Sequence, residues 1–139
     1  MSLKYLLDTN VVSEPLRPAP NAKLLRRLQT HQSELAIPAV VWHELLFGCE
    51  RLPKSAKRAA IEAYLTQVVA VSLAILPYDD RAAAWHATER ARLAKLGKTP
   101  PFADGQIAAI ARVNNLVLIT HNTRDFAGFH GLQTEDWLK

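Results

Sequence analysis

Four carboxylates stand where solubility alone does not explain them: Asp8, Glu44, Asp104 and Asp125. Glu44 lies in an apolar stretch, and its helical neighbours three and four residues away are Val40, Val41, Phe47 and Gly48. None is a cation, so the spacing places Glu44 on or beside an apolar face, where an unpaired carboxylate is costly or takes up a proton. Asp104 repeats the pattern with Pro100, Pro101, Ile107 and Ala108 around it, on the side that Ile107, Ala108, Ile110 and Ala111 turn inward. Asp8 ends the short apolar run through Leu6 and Leu7, and Asp125 follows Leu116–Thr120 across His121-Asn122-Thr123-Arg124. Singly, each has an ordinary explanation: helix capping for Asp8 and Asp104, an Arg124 pair or a turn cap for Asp125, water for Glu44. Brought together they would repel, and a bound cation is what makes such a cluster cheap.

Oxygen donors without a Cys/His cluster select a hard ion, Mg²⁺ or Mn²⁺. An ion so held, with coordination left open, polarises a phosphate, activates water and stabilises the leaving oxygen of an in-line displacement. Thr120 and Asn122 are placed to orient a carboxylate or a water there. The five histidines are scattered, which disfavours zinc, and His43 and His121 read as core or surface groups beside the acids. No phosphate-binding glycine loop, dinucleotide fingerprint or nucleophile elbow is present.

Strands alternating with helices must deliver these acids. Lys4–Leu7 reads as a first strand, followed by a short helix from Asn10 that Pro15 and Pro18 interrupt. Asn21 caps a helix over Ala22–Thr30 with Leu24, Leu25 and Leu28 inward, and Leu35–Ile37 reads as a second strand. Pro38 suits the first turn of a helix to about Leu52. Ser55 caps the next, to about Val69, and Val71–Leu76 reads as a buried strand. Asp79 or Asp80 caps a long Ala-rich helix that Gly97 stops, and a further helix runs from Phe102 to about Asn114. Leu116–Thr120 is the clearest strand, with a helical turn expected around Phe126 and a last strand near Leu132. The alternation implies one α/β domain over residues 1–139, with a mostly parallel sheet covered on both faces.

The chain's 139 residues suffice for a real core, and 49% hydrophobic content fits a globular protein. No apolar run is long enough for a spanning helix and the N-terminus lacks a signal-peptide layout, so a cytoplasmic protein without membrane contact is expected. The lone Cys49 excludes an internal disulfide. A formal charge of +4, with Arg and Lys grouped near residues 17–27, 51–58 and 90–98, permits a phosphate-bearing partner.

Leu-Leu-Asp8-Thr9-Asn10-Val-Val-Ser-Glu14, Glu44-Leu-Leu-Phe-Gly48, Phe-Ala-Asp104-Gly-Gln-Ile-Ala-Ala and Thr120-His-Asn122-Thr-Arg-Asp125-Phe126 together resemble a PIN domain of the VapC (FitB-like) toxin type. The resemblance spans almost the whole chain. It implies a PIN-like three-layer α/β/α sandwich and a Mg²⁺- or Mn²⁺-dependent endoribonuclease that hydrolyses RNA with metal-activated water. Asp8, Glu44, Asp104 and Asp125 would be its catalytic and metal-holding acids, supported by Asn10, Thr120 and Asn122. It further implies a homodimer and a VapB-like antitoxin through which operator DNA is bound. Two positions depart from the pattern: His121 where Arg is commoner, and Gly105 where Ala is. A phosphatase with Asp8 as nucleophile would want a second aspartate where Asn10 stands. A silent binding module would hold a partner's arginine tail on the same acids.

Overall fold

The computed structural model describes residues 2–139. Its centre is a five-stranded sheet in the order β3-β2-β1-β4-β5, every ladder parallel. The strands are β1 (Tyr5–Leu7), β2 (Leu35–Pro38), β3 (Ala74–Leu76), β4 (Val117–Ile119) and β5 (Thr134–Glu135). Tyr5 pairs with Leu35 on one side and Val117 on the other, so β1 is central. Leu6, Ala36, Ile37 and Leu118 are fully buried, as parallel strands covered on both faces require. The chain winds outward from β1 in both directions, which makes the gap between the carboxyl ends of β1 and β4 a topological switch point. Open parallel sheets place ligands at such a point.

Among the described residues, seven helices connect the strands: α1 (Thr9–Val12), α2 (Ala22–Thr30), α3 (Ala39–Glu50), α4 (Ala56–Tyr64), α5 (Ala70–Ser72), α6 (Asp80–Lys95) and α7 (Phe102–Val113). Their starts follow the capping logic: Asn21, Ser55 and Asp79 accept backbone N–H groups from Leu24, Arg58 and Ala82. Gly97, at φ +69°, closes α6 with the Lys98 N–H on the Leu93 carbonyl and the Gly97 N–H on that of Ala94. Asn115, at φ +56°, ends α7 in the same way through Leu116 and Ala111. No helix among the described residues is long and apolar enough to cross a membrane.

Four expectations change. Pro38 is the last residue of β2 and the N-cap of α3, with extended backbone, so it stands just outside the first turn. The helix begun at Ala56 continues through a π turn, Leu65–Val69, into α5 and delays β3 to Ala74. There the run Val68-Val69-Ala70-Val71 has strand-like composition, but the π turn keeps both Leu65 and Val69 in the core at 1% exposure. The last strand lies at Thr134–Glu135, not near Leu132, where its two residues complete the ladder to Leu118 and Ile119. Of the three leucines expected inward from α2 only Leu24 is fully buried; Leu25 and Leu28 line an open apolar groove with Val12, Tyr64, Val68 and Leu73.

Candidate active site

Asp8 stands at the step from β1 to α1, at 8% exposure. Its backbone is still extended, so it serves as the α1 N-cap: Oδ1 accepts the Thr9 N–H at 2.8 Å. Oδ2 accepts the hydroxyl of Thr120, just past β4, also at 2.8 Å. That hydroxyl oxygen accepts the Asn122 N–H at 3.0 Å, which fixes the turn leaving β4. Capping and function therefore share one side chain here. Burial raises the Asp8 carboxyl above its usual range, the two hydrogen bonds oppose this, and the Glu44 charge adds to the rise.

Glu44 is not on an apolar face. It is exposed, on the solvent side of α3, and its Oε2 accepts the Thr9 hydroxyl at 2.6 Å. The amphipathic reading fails there because α3 is apolar nearly all round, so neighbour identity does not tell which side faces water. Asp104 is half-buried in the first turn of α7. Its carboxyl is pushed up to about 6, first by burial and then by the negative charges of Asp8, Asp125 and Glu44. That one group feels all three others, so the structure brings the four carboxylates from β1, α3, α7 and the turn after β4 to one mouth. Asp125 is exposed, in the 3₁₀ turn Thr123–Phe126. Among the described residues no three His, Cys, Asp or Glu side chains are so arranged that they could hold a metal ion by themselves.

Asn10 supports the site through backbone: its Oδ1 accepts the His121 N–H at 3.3 Å. Asn122 contributes its own N–H to Thr120, while its side chain is exposed. Residue-by-residue reading gave no role to Thr9, which ties Asp8 to Glu44, or to Glu14, which is 4% exposed. Glu14 accepts the Asn21 N–H at 2.9 Å and lies 3.8 Å from His121 Nε2, whose other ring nitrogen is 3.6 Å from Asp136. Local spacing offers only Arg17, 3.6 Å away, as a partner for Glu14; Asn21 and His121 reach it from the start of α2 and from the turn after β4. His121 is thus a half-buried ring between two carboxylates rather than a surface group.

Gly105 also finds its reason here. His86, buried in α6 at 2% exposure, hydrogen-bonds Tyr78 through Nδ1 at 2.8 Å and presses its ring against the Gly105 backbone. A Cβ at position 105 would overlap that ring. The glycine lets the imidazole sit against the turn that carries Asp104.

The architecture defines a parallel α/β protein with an acidic, oxygen-only crevice at the switch point of its sheet. The PIN domain family model matches residues 5–130. The tRNA(fMet)-specific endonuclease VapC of Shigella flexneri is 34% identical over 136 residues, covering 97% of this chain and 98% of that protein. Toxin FitB of Neisseria gonorrhoeae is 37% identical over 124 residues, 87% of this chain and 89% of that one. The DNA-bound VapBC of Salmonella typhimurium superposes with a TM-score of 0.83 at 30% identity, over 97% and 98% of the two chains. The chain belongs to the PIN domain family, among its VapC and FitB members.

Proposed function

We propose that this protein is a divalent-metal-dependent endoribonuclease, the toxin of a VapBC-type toxin–antitoxin module acting in the cytoplasm. What carries this function is the coupling of Asp104 to Asp8, Asp125 and Glu44 at the β1–β4 switch point. The kinship to a tRNA endonuclease and to a toxin supports RNA as the substrate. The DNA-bound VapBC of Salmonella typhimurium supports a VapB-like antitoxin that reaches operator DNA, and the toxin in such an assembly would be a homodimer.

The donor set fits a hard cation. Every candidate ligand is a carboxylate oxygen, and Mg²⁺ takes one or two carboxylates directly while keeping several waters. Asp8, Glu44, Asp104 and Asp125 would hold it, directly or through water, with Asn10, Thr120 and Asn122 in support. When bound, such an ion lowers the pKa of a coordinated water and neutralises charge on the scissile phosphate.

The chain's own groups prepare that site. The Thr9 N–H and the Thr120 hydroxyl each donate to one Asp8 oxygen, which favours the ionised carboxylate and fixes its plane. The Thr9 hydroxyl holds Glu44 at the mouth. The crowding that raises Asp104 is relieved by positive charge, so the acids draw a cation, and the bound cation would in turn anchor the anionic RNA backbone.

Purified chain incubated with total RNA and Mg²⁺ should cut it, and Asp8→Asn should abolish cutting while circular dichroism and the thermal midpoint stay close to wild type. Cleavage by the variant, or by wild type in excess EDTA, would reject the proposal.

A further inference from the structure

Two exposed phenylalanines stand on the helices that carry Glu44 and Asp104. Phe47 lies one turn beyond Glu44 on α3 and is 53% exposed; Phe102 opens α7 two residues before Asp104 and is 51% exposed. Each carries an arginine on its face. The Arg51 guanidinium carbon is 5.1 Å from the Phe47 centroid, and that of Arg90 is 5.2 Å from the Phe102 centroid. His43 stacks against Phe47 nearly parallel, 7° between planes, and the buried His86 ring lies 4.8 Å from Phe102. Among the described residues neither arginine has a carboxylate within salt-bridge distance, whereas Arg58 pairs with Glu50 and Glu62, and Arg92 with Glu89.

Building on the nuclease reading above, we propose that Phe47 and Phe102 are stacking platforms for two unpaired bases of the RNA, one on each side of the phosphodiester that lies at the acids. The substrate is then single-stranded or splayed at the cut. An aromatic face receives any base without reading its edge, and an arginine beside it reaches the neighbouring phosphate. Duplex RNA keeps its bases stacked on each other and cannot use either ring.

The placement favours this occupant over a second copy of the chain. Both rings are overlaid by arginines without carboxylate partners, and on a chain of formal charge +4 such cations suit a polyanion better than a second, equally basic copy. α3 and α7, which carry the two rings, pack against each other, and the Thr9 hydroxyl ties Glu44, one turn before Phe47, to the step that carries Asp8. Neither ring holds the core together, so replacing it leaves the fold intact.

The test uses the full chain and a single-stranded RNA oligonucleotide carrying 2-aminopurine, whose fluorescence is quenched on stacking. Phe47→Leu and Phe102→Leu keep apolar bulk but remove the π face. Each should weaken RNA binding and raise KM about tenfold while kcat stays within about twofold, and should abolish quenching at one of two label positions. Hydrolysis of a small base-free phosphodiester should be unchanged by both. Arg51→Gln and Arg90→Gln should lower the affinity of the same RNA and flatten its dependence on salt. Wild-type KM and quenching in both leucine variants overturn the proposal, as does their conversion of a wild-type dimer to monomers by analytical ultracentrifugation, which would assign the rings to a copy of this chain. Binding and quenching that need the rings, without cleavage by wild type, would sink the nuclease reading and leave the stacking; cleavage indifferent to the rings does the reverse.

Discussion

At the scale of single residues, the site is built by small groups that hold large ones. Asp8 was legible because a strand that ends on a carboxylate before a helix is a short-range pattern, and Asp104 because its inward neighbours sit within one turn. Glu44 was legible as a member of the cluster but not as an exposed group, since an all-apolar helix has no face to read. The tie of the Thr9 hydroxyl to Glu44, 35 residues on, and the approach of Glu14 to His121 across the fold carry no local signal. Gly105, a departure from the family pattern, is half of a packing pair with His86. Gly105→Ala should therefore destabilise the fold by about 1–3 kcal/mol, the range for forcing extra volume into a packed site. His86→Ala should remove most of that penalty in the double variant despite its own cavity cost. Urea unfolding of the four proteins measures the coupling; additive losses would show that ring and glycine do not meet.

The elements were easier to find than their exact limits. Caps at Asn21, Ser55 and Asp79 and the stop at Gly97 are chemical signals confined to a few residues, and the structure uses each as such. Helix was read correctly to about Val69, but Val71–Leu73 was misread as the start of β3, because a valine favours a strand only when a neighbouring strand receives it, and tertiary packing decided otherwise. Tyr64 shows what that packing is for. Its hydroxyl donates to the Val12 carbonyl at 2.6 Å, tying the π-bearing helix to the end of α1, the helix that Asp8 caps. Burial raises this phenol to about 12, so it stays a donor at any physiological pH. Tyr64→Phe should cost about 1 kcal/mol in chemical denaturation, with little change in m-value. A loss below a few tenths would mean that water replaces the hydroxyl on Val12.

For the molecule as a whole, parallel α/β architecture followed from the alternation of strands and helices, but strand order did not, because five strands this short offer nothing in sequence to choose their neighbours. That order matters electrostatically: placing β1 beside β4 forces Asp8, Asp104 and Asp125 together. Folded Asp104 titrates near 6 against a usual 3.8, so the folded state binds its proton more tightly than the unfolded chain. Its effect is thus to make metal-free protein lose stability as pH rises from about 4 to about 6, with the loss retained above that. Glu34 and Glu89 act oppositely, since Lys4 and Arg92 hold them below the usual range and their contribution fades on acidification. Comparing wild type with Asp104→Asn isolates the first effect. In EDTA the variant should melt higher than wild type at about pH 7.5, and the gap should close by about pH 4. Millimolar Mg²⁺ should raise the wild-type midpoint at the higher pH, do so far less near pH 5 where a proton competes, and move Asp104→Asn least. Parallel melting curves for the two proteins across the whole pH range would mean that the acids do not share a field, and the cation that relieves them would lose its reason.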